Sequence, residues 1–207
     1  MTFLFLKFGP GTQIDILHLF SRSVKKRCFL LVLFCLGIGI HGFANRGYDT
    51  AQVTVLIKKS IALSVSQSDS ARMYAEQAIQ LATDLEYPEG MLRSNMAMAG
   101  LLIKQRQRNE ARAFLLKAYE YAVSLKKTAA QISILLDLGN QSYRIADYLS
   151  AENYYQQALQ IQKEDKSGEM PVKIYTNLGM TYTKLTDYTR AFEALTLSNQ
   201  LADSLGM

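Results

Sequence analysis

The sequence predicts an all-α protein, a right-handed superhelical solenoid of four tandem helix-turn-helix repeats behind an export leader. Three observations predict it. Ala71, Ala111, Ala151 and Ala191 recur with a constant forty-residue period, and a fixed period of that size marks a stack of helical units. Hydrophobic residues form 49% of the chain with only 3 prolines in 207 residues, so apolar surface for a core is plentiful and helix breakers are few. All cysteine and histidine (Cys28, Cys35, His18 and His41) falls at or before position 44, separating a leader from a body of different chemistry.

The leader comes first. Residues 22–44 place the basic cluster Arg22, Lys25, Lys26 and Arg27 before the twelve-residue apolar run 29–40, with Gly42 and Ala44 behind it. That is the order of a secretory signal, and the run is shorter than the ~20 residues needed to cross a bilayer. Cleavage is expected after Ala44, leaving a periplasmic or secreted protein with no stable membrane span apart from the signal segment. The expected organisation is a leader over 1–44 with its core at 22–44, a linker over 45–51, and an array over 52–205. Its repeats are expected at about 52–91, 92–131, 132–171 and 172–205.

Charge follows the same division. Lys7, Arg22, Lys25, Lys26 and Arg27 against Asp15 give the leader +4 of the net +5, so everything after Ala44 carries +1. A body so nearly neutral offers no electrostatic case for nucleic acid. Without Cys or His it can build no thiolate nucleophile, no Ser-His pair and no thiolate or imidazole zinc site. We expect no catalytic residues, no metal, no cofactor and no enzyme activity.

Within the array each second helix carries two small positions seven residues apart, Ala71/Ala78, Ala111/Ala118, Ala151/Ala158 and Ala191/Ser198. Apolar residues stand at helical spacing around them: Ala75, Leu115, Tyr155 and Leu195, then Leu81, Tyr121, Ile161 and Leu201. Small side chains are needed where two antiparallel helices cross closely. In the first helices Ala99, Gly139 and Gly179 recur in register. Asp147-Tyr148 and Asp187-Tyr188 mark the turns of copies three and four, the aspartate able to cap the free amides of the second helix and the tyrosine to pack at the bend.

Residues 137–161 (DLGNQSYRIADYLSAENYYQQALQI) and 177–195 (NLGMTYTKLTDYTRAFEAL) resemble the tetratricopeptide repeat. Leu138, Gly139, Ala151, Tyr155 and Ala158 lie on that family's pattern, as do Leu178, Gly179, Tyr182, Ala191 and Leu195; Ser142 and Ser198 replace a Tyr and an Ala. The family's usual period is shorter, so the forty-residue spacing suggests a lengthened second helix carrying Leu85, Leu125 and Leu205. The resemblance implies a protein- or peptide-binding scaffold whose first helices line a concave groove. The residues it places there are Arg93, Met96, Gly100, Ile103 and Lys104; Ser133, Leu136, Asn140, Tyr143 and Arg144; and Lys173, Thr176, Met180, Thr183 and Lys184. Of these, Arg93, Met96, Lys104, Asn140, Tyr143, Arg144, Lys173 and Lys184, with Asn177, form the candidate site, a basic stripe suited to an acidic peptide. Long repeats behind a signal peptide also resemble the extracytoplasmic sensory regions of bacterial signalling proteins, in which further C-terminal domains follow. The alternative is a structural module forming a homo-oligomer through its last repeat.

Overall fold

The computed structural model describes residues 6–8, 12–14, 49–162 and 170–206. The expected signal segment at 22–44 lies outside them. The chain divides into two compact units, Met1–Tyr48 and Asp49–Met207. In the first, β1 (Leu6–Phe8) pairs antiparallel with β2 (Thr12–Ile14). The second is helical throughout its described residues: α1 (49–63), α2 (Ser68–Asp84), α3 (Pro88–Lys104), α4 (Arg108–Ser124), α5 (Thr128–Arg144), α6 (Tyr148–Gln162), α7 (Met170–Lys184) and α8 (Tyr188–Ser204). These pair in sequence into a tandem-repeat solenoid. Residues 49–51 belong to α1 and not to a linker, because Val53, Leu56, Ile57 and Ser60 already bury one helical face that needs a preceding turn.

The expectation of a longer second helix is corrected. The first helices α3 and α5 are 17 residues long, as are the second helices α2, α4 and α8. Leu85, Leu125 and Leu205 do not extend their helices but end them as C-caps. The reason is the connector. After five helices the chain passes through a residue of positive φ, namely Glu86, Arg106, Lys126, Ala146 and Thr186. Each is followed by an amide that reaches back into the helix, as from Tyr87 N to the Ala82 carbonyl and from Asp187 N to the Tyr182 carbonyl, both at 2.9 Å. This is the Schellman closure, which satisfies carbonyls that a helix end leaves free. The same three-residue turn follows α3 and α4, so the second repeat is built from two equal halves. None of these positions is glycine, although the left-handed region costs an L-residue about 1–2 kcal/mol.

The two helix types bury different residues. Second helices expose most of their surface and bury a narrow stripe: Ala71, Ala75, Ala78 and Ala82 in α2, and Ala111, Leu115, Ala118 and Ala122 in α4. First helices lie against their own second helix and the preceding one, so they bury larger residues on two sides, such as Ile132, Ile134, Leu135 and Leu138 in α5. Where the last repeat has Ser198 for Ala, this residue is only 4% exposed, and its hydroxyl is bonded to Thr176 Oγ1 at 2.7 Å and to the Val172 carbonyl at 3.1 Å. A buried hydroxyl so satisfied carries little penalty.

Both aspartate caps form. Asp147 Oδ1 accepts from Ser150 N at 3.2 Å and Asp187 Oδ1 from Arg190 N at 3.0 Å. Hydrogen bonds from Ser150 hold the Asp147 carboxyl below its ordinary value, and those from Arg190 do the same for Asp187. A carboxyl whose folded value is depressed stabilises the fold above its unfolded pKa, and that contribution disappears as pH falls through the folded value. Asp187→Asn, which keeps a cap acceptor but cannot titrate, is expected to flatten the acid limb of a melting-temperature profile below about pH 4. An unchanged limb would remove Asp187 as a contributor. The tyrosines beside the caps behave differently: Tyr148 packs edge-on against Tyr143 at 5.3 Å between ring centroids, while Tyr188 is 67% exposed. The residue of copy four equivalent to Tyr143 is Thr183, which offers no ring.

Candidate functional site

Five of the nine candidate residues fall into two neighbourhoods instead of one stripe. Arg93, Met96 and Lys104 line a cleft of about 370 Å³ with Ile57, Ile61 and Gly100. Its charged rim is anchored to the first repeat, with Arg93 Nη1 3.5 Å from Thr54 Oγ1 and Lys104 Nζ donating to Ser64 Oγ at 2.7 Å. Gly100 has open space where a Cβ would stand, so this cleft is wider for lacking a side chain there. Its floor is apolar.

The second neighbourhood lies where α5 meets α7, first helices of successive repeats. Asn177 Nδ2 donates to Asn140 Oδ1 at 3.3 Å, and the Tyr155 hydroxyl donates to the same oxygen at 2.8 Å. Burial pushes the Tyr155 phenol far above its ordinary value, so it remains a neutral donor. Asp137 lies close enough to Tyr155 to act on it electrostatically, and burial raises the Asp137 carboxyl. An acid therefore sits beside the expected basic stripe. Among the described residues, Asn140 Nδ2 and Asn177 Oδ1 have no hydrogen-bond partner. One donor and one acceptor are thus held ready, matching what a peptide group presents.

Tyr155 was legible in the sequence as an apolar helix position but not as the residue that sets Asn140. Its place depends on Gly139, where a Cβ would overlap the Tyr155 ring. The paired spacing of 139 and 155 was the available signal, because a Cβ on Gly179 would meet Leu195 in the same way, at 2.5 Å.

The other candidates are dispersed. Tyr143 packs on Tyr148 and against the core of the last two repeats. Arg144 turns to a separate pocket with Lys104. Lys173 and Lys184 are exposed on α7, Lys184 in its last turn. Two residues expected to face the groove do not: Leu136 is buried in the core with Ile174 and Leu178, and Thr176 bonds Ser198 on α8. Both are drawn inward by the close approach of a neighbouring helix. Among the described residues no group of three or more His, Cys, Asp or Glu could hold a metal ion, and no helix is long and apolar enough to cross a membrane.

Residues 172–204 match the tetratricopeptide repeat family. No curated protein matches the chain. Three solved structures share its fold. BtubC from P. vanneervenii is 19% identical with a TM-score of 0.65 over 74% of this chain and 66% of that one. Aspartyl phosphate phosphatase F from Bacillus subtilis is 19% identical with a TM-score of 0.71 over 76% and 42%. A Rap protein complexed with Competence and Sporulation Factor is 24% identical with a TM-score of 0.65 over 74% and 43%. The chain spans less than two thirds of each, and at these identities the likeness is one of fold.

Proposed function

We propose, from the premise that this chain is a tetratricopeptide-type repeat solenoid, that it is a non-catalytic scaffold binding an extended peptide or protein segment across its first helices. The observation that carries the reading is the Asn140–Asn177 pair, held by the Tyr155 hydroxyl with one free donor and one free acceptor. Side-chain amides held in this way can bond the backbone of an extended chain whatever its sequence. The cleft of Ile57, Ile61 and Met96 supplies apolar contact further along. The Rap protein of like fold is complexed with Competence and Sporulation Factor, which supports a binding role for such an array.

Basic residues at Arg93, Lys104, Arg144, Lys173 and Lys184 favour an acidic partner. Screening extended peptides by fluorescence anisotropy should yield ligands whose affinity falls about tenfold or more in Asn140→Ala/Asn177→Ala, since each lost hydrogen bond is worth about 1 kcal/mol and tenfold is about 1.4. Affinity unchanged in that double variant would sink the reading. Unchanged affinity in Arg144→Glu/Lys184→Glu would remove only the preference for acidic partners.

The leader's basic cluster, short apolar run and small exit residues support export, and with it a sensory role outside the cytoplasm in a larger signalling protein. The mature protein is expected to begin at Asn45. Sequencing the N-terminus of protein recovered from the periplasm or medium checks this, and an intact leader on such material would refute it.

A further inference from the structure

Cations converge on one pocket whose lining contains no acid. The end of α3, the turn behind it, the start of α4 and the last turn of α5 bring Lys104, Arg106, Arg108 and Arg144 around a cavity of about 290 Å³, closed by Ile103 and Gln141. Residues 45–207 carry a net charge of only +1, so four positive charges here are a local concentration.

Helix ends account for two of them. Lys104 and Arg144 occupy last turns, where free carbonyls favour a cation. Arg106 comes just past the α3 C-cap at φ 62°, and Arg108 opens α4, where free amides disfavour positive charge. Arg72, Lys127 and Arg190 all have carboxylate partners, but among the described residues none of these four does.

Gln141 adds a neutral polar group to the lining. Gln141 is only 7% exposed and lines the pocket, yet its side-chain amide makes no hydrogen bond among the described residues. Its amide atoms keep contact with solvent, so they are open to a molecule in the pocket.

We propose that this pocket binds a phosphoryl group. Three guanidinium forks match the oxygens of a tetrahedral dianion, with the lysine as a point charge and the Gln141 amide as a neutral donor. A single carboxylate would leave most of the charge uncompensated. The site goes beyond the peptide reading, since it needs no segment across Asn140 and Asn177, and Arg106 and Arg108 lie outside that groove. The phosphate is either free or carried on a side chain.

The test is a thermal-shift and calorimetric titration of the purified protein with inorganic phosphate, against potassium chloride at equal ionic strength. A saturable rise in melting temperature is expected, with affinity falling at least about tenfold in Arg106→Gln and in Arg108→Gln and unchanged in Lys58→Gln. Broadening of the phosphorus-31 resonance by the unmodified protein gives a second readout independent of how the variants fold. Phosphoserine against inorganic phosphate then separates the sources: tighter phosphoserine binding assigns a phosphorylated side chain, tighter phosphate binding the free anion. No saturable effect beyond the chloride control, or undiminished binding in both arginine variants, overturns the proposal. Peptide binding that depends on Asn140 and Asn177 would survive that failure.

Discussion

Replacing Tyr155 by alanine is expected to destabilise the array by about 3–5 kcal/mol, the cost of removing a large aromatic side chain from a packed core. Tyr155 is 1% exposed and belongs to the core joining the last two repeats, with Ile132, Leu135, Ile174 and Leu178. Repeats of a solenoid are stabilised by their neighbours, so a cavity here weakens the contact between copies three and four as well as copy three itself. Urea denaturation followed by far-UV circular dichroism checks this, and a loss below about 1 kcal/mol would show that the site collapses around the missing ring. Tyr155→Phe separates structure from function. It keeps the ring and removes only the bond to Asn140, at a cost of about 1 kcal/mol. Peptide affinity should then fall more than stability does.

The second large effect lies across the helix crossing. Gly139→Ala drives a methyl into the Tyr155 ring, and overpacking of this kind costs about 1–3 kcal/mol. The other copies show how the strain is relieved. At the matching positions copy two has Ala99 with Leu115, in one core cluster, and copy four has Gly179 with Leu195. Gly139→Ala combined with Tyr155→Leu rebuilds the copy-two pair inside copy three. The double variant is expected to lose less than the sum of its singles, with a coupling of about 0.5–3 kcal/mol in a denaturation cycle. Additive losses would mean that residues 139 and 155 do not share one crossing.

Features that rest on local periodicity could be read from the residues alone. Burial along a helix repeats every three or four residues, so Ala111, Ala118, Ala151 and Ala158 announced the stripe that each second helix buries. Capping is equally local, because an aspartate reaches amides only three residues on, and Asp147 and Asp187 were readable without knowing any neighbour. The equal lengths of α3 and α4 and the shared form of the turns were not readable. They follow from left-handed turns at Glu86, Arg106, Lys126, Ala146 and Thr186, where no glycine marks the place and backbone closure outweighs residue preference.

Which side chains meet depends on how the helices pack in three dimensions. Asn140 and Asn177 belong to different repeats and touch because α5 and α7 approach each other, with Tyr155 fixing the first of them. Arg106 and Arg108 share a pocket with Arg144 for the same reason, the stacking of one repeat on the next. Helix periodicity says which face a residue occupies, whereas the angle at which successive repeats stack decides what that face encounters. Within a repeat the helix crossing is set by side-chain volume, as where Gly139 yields to Tyr155.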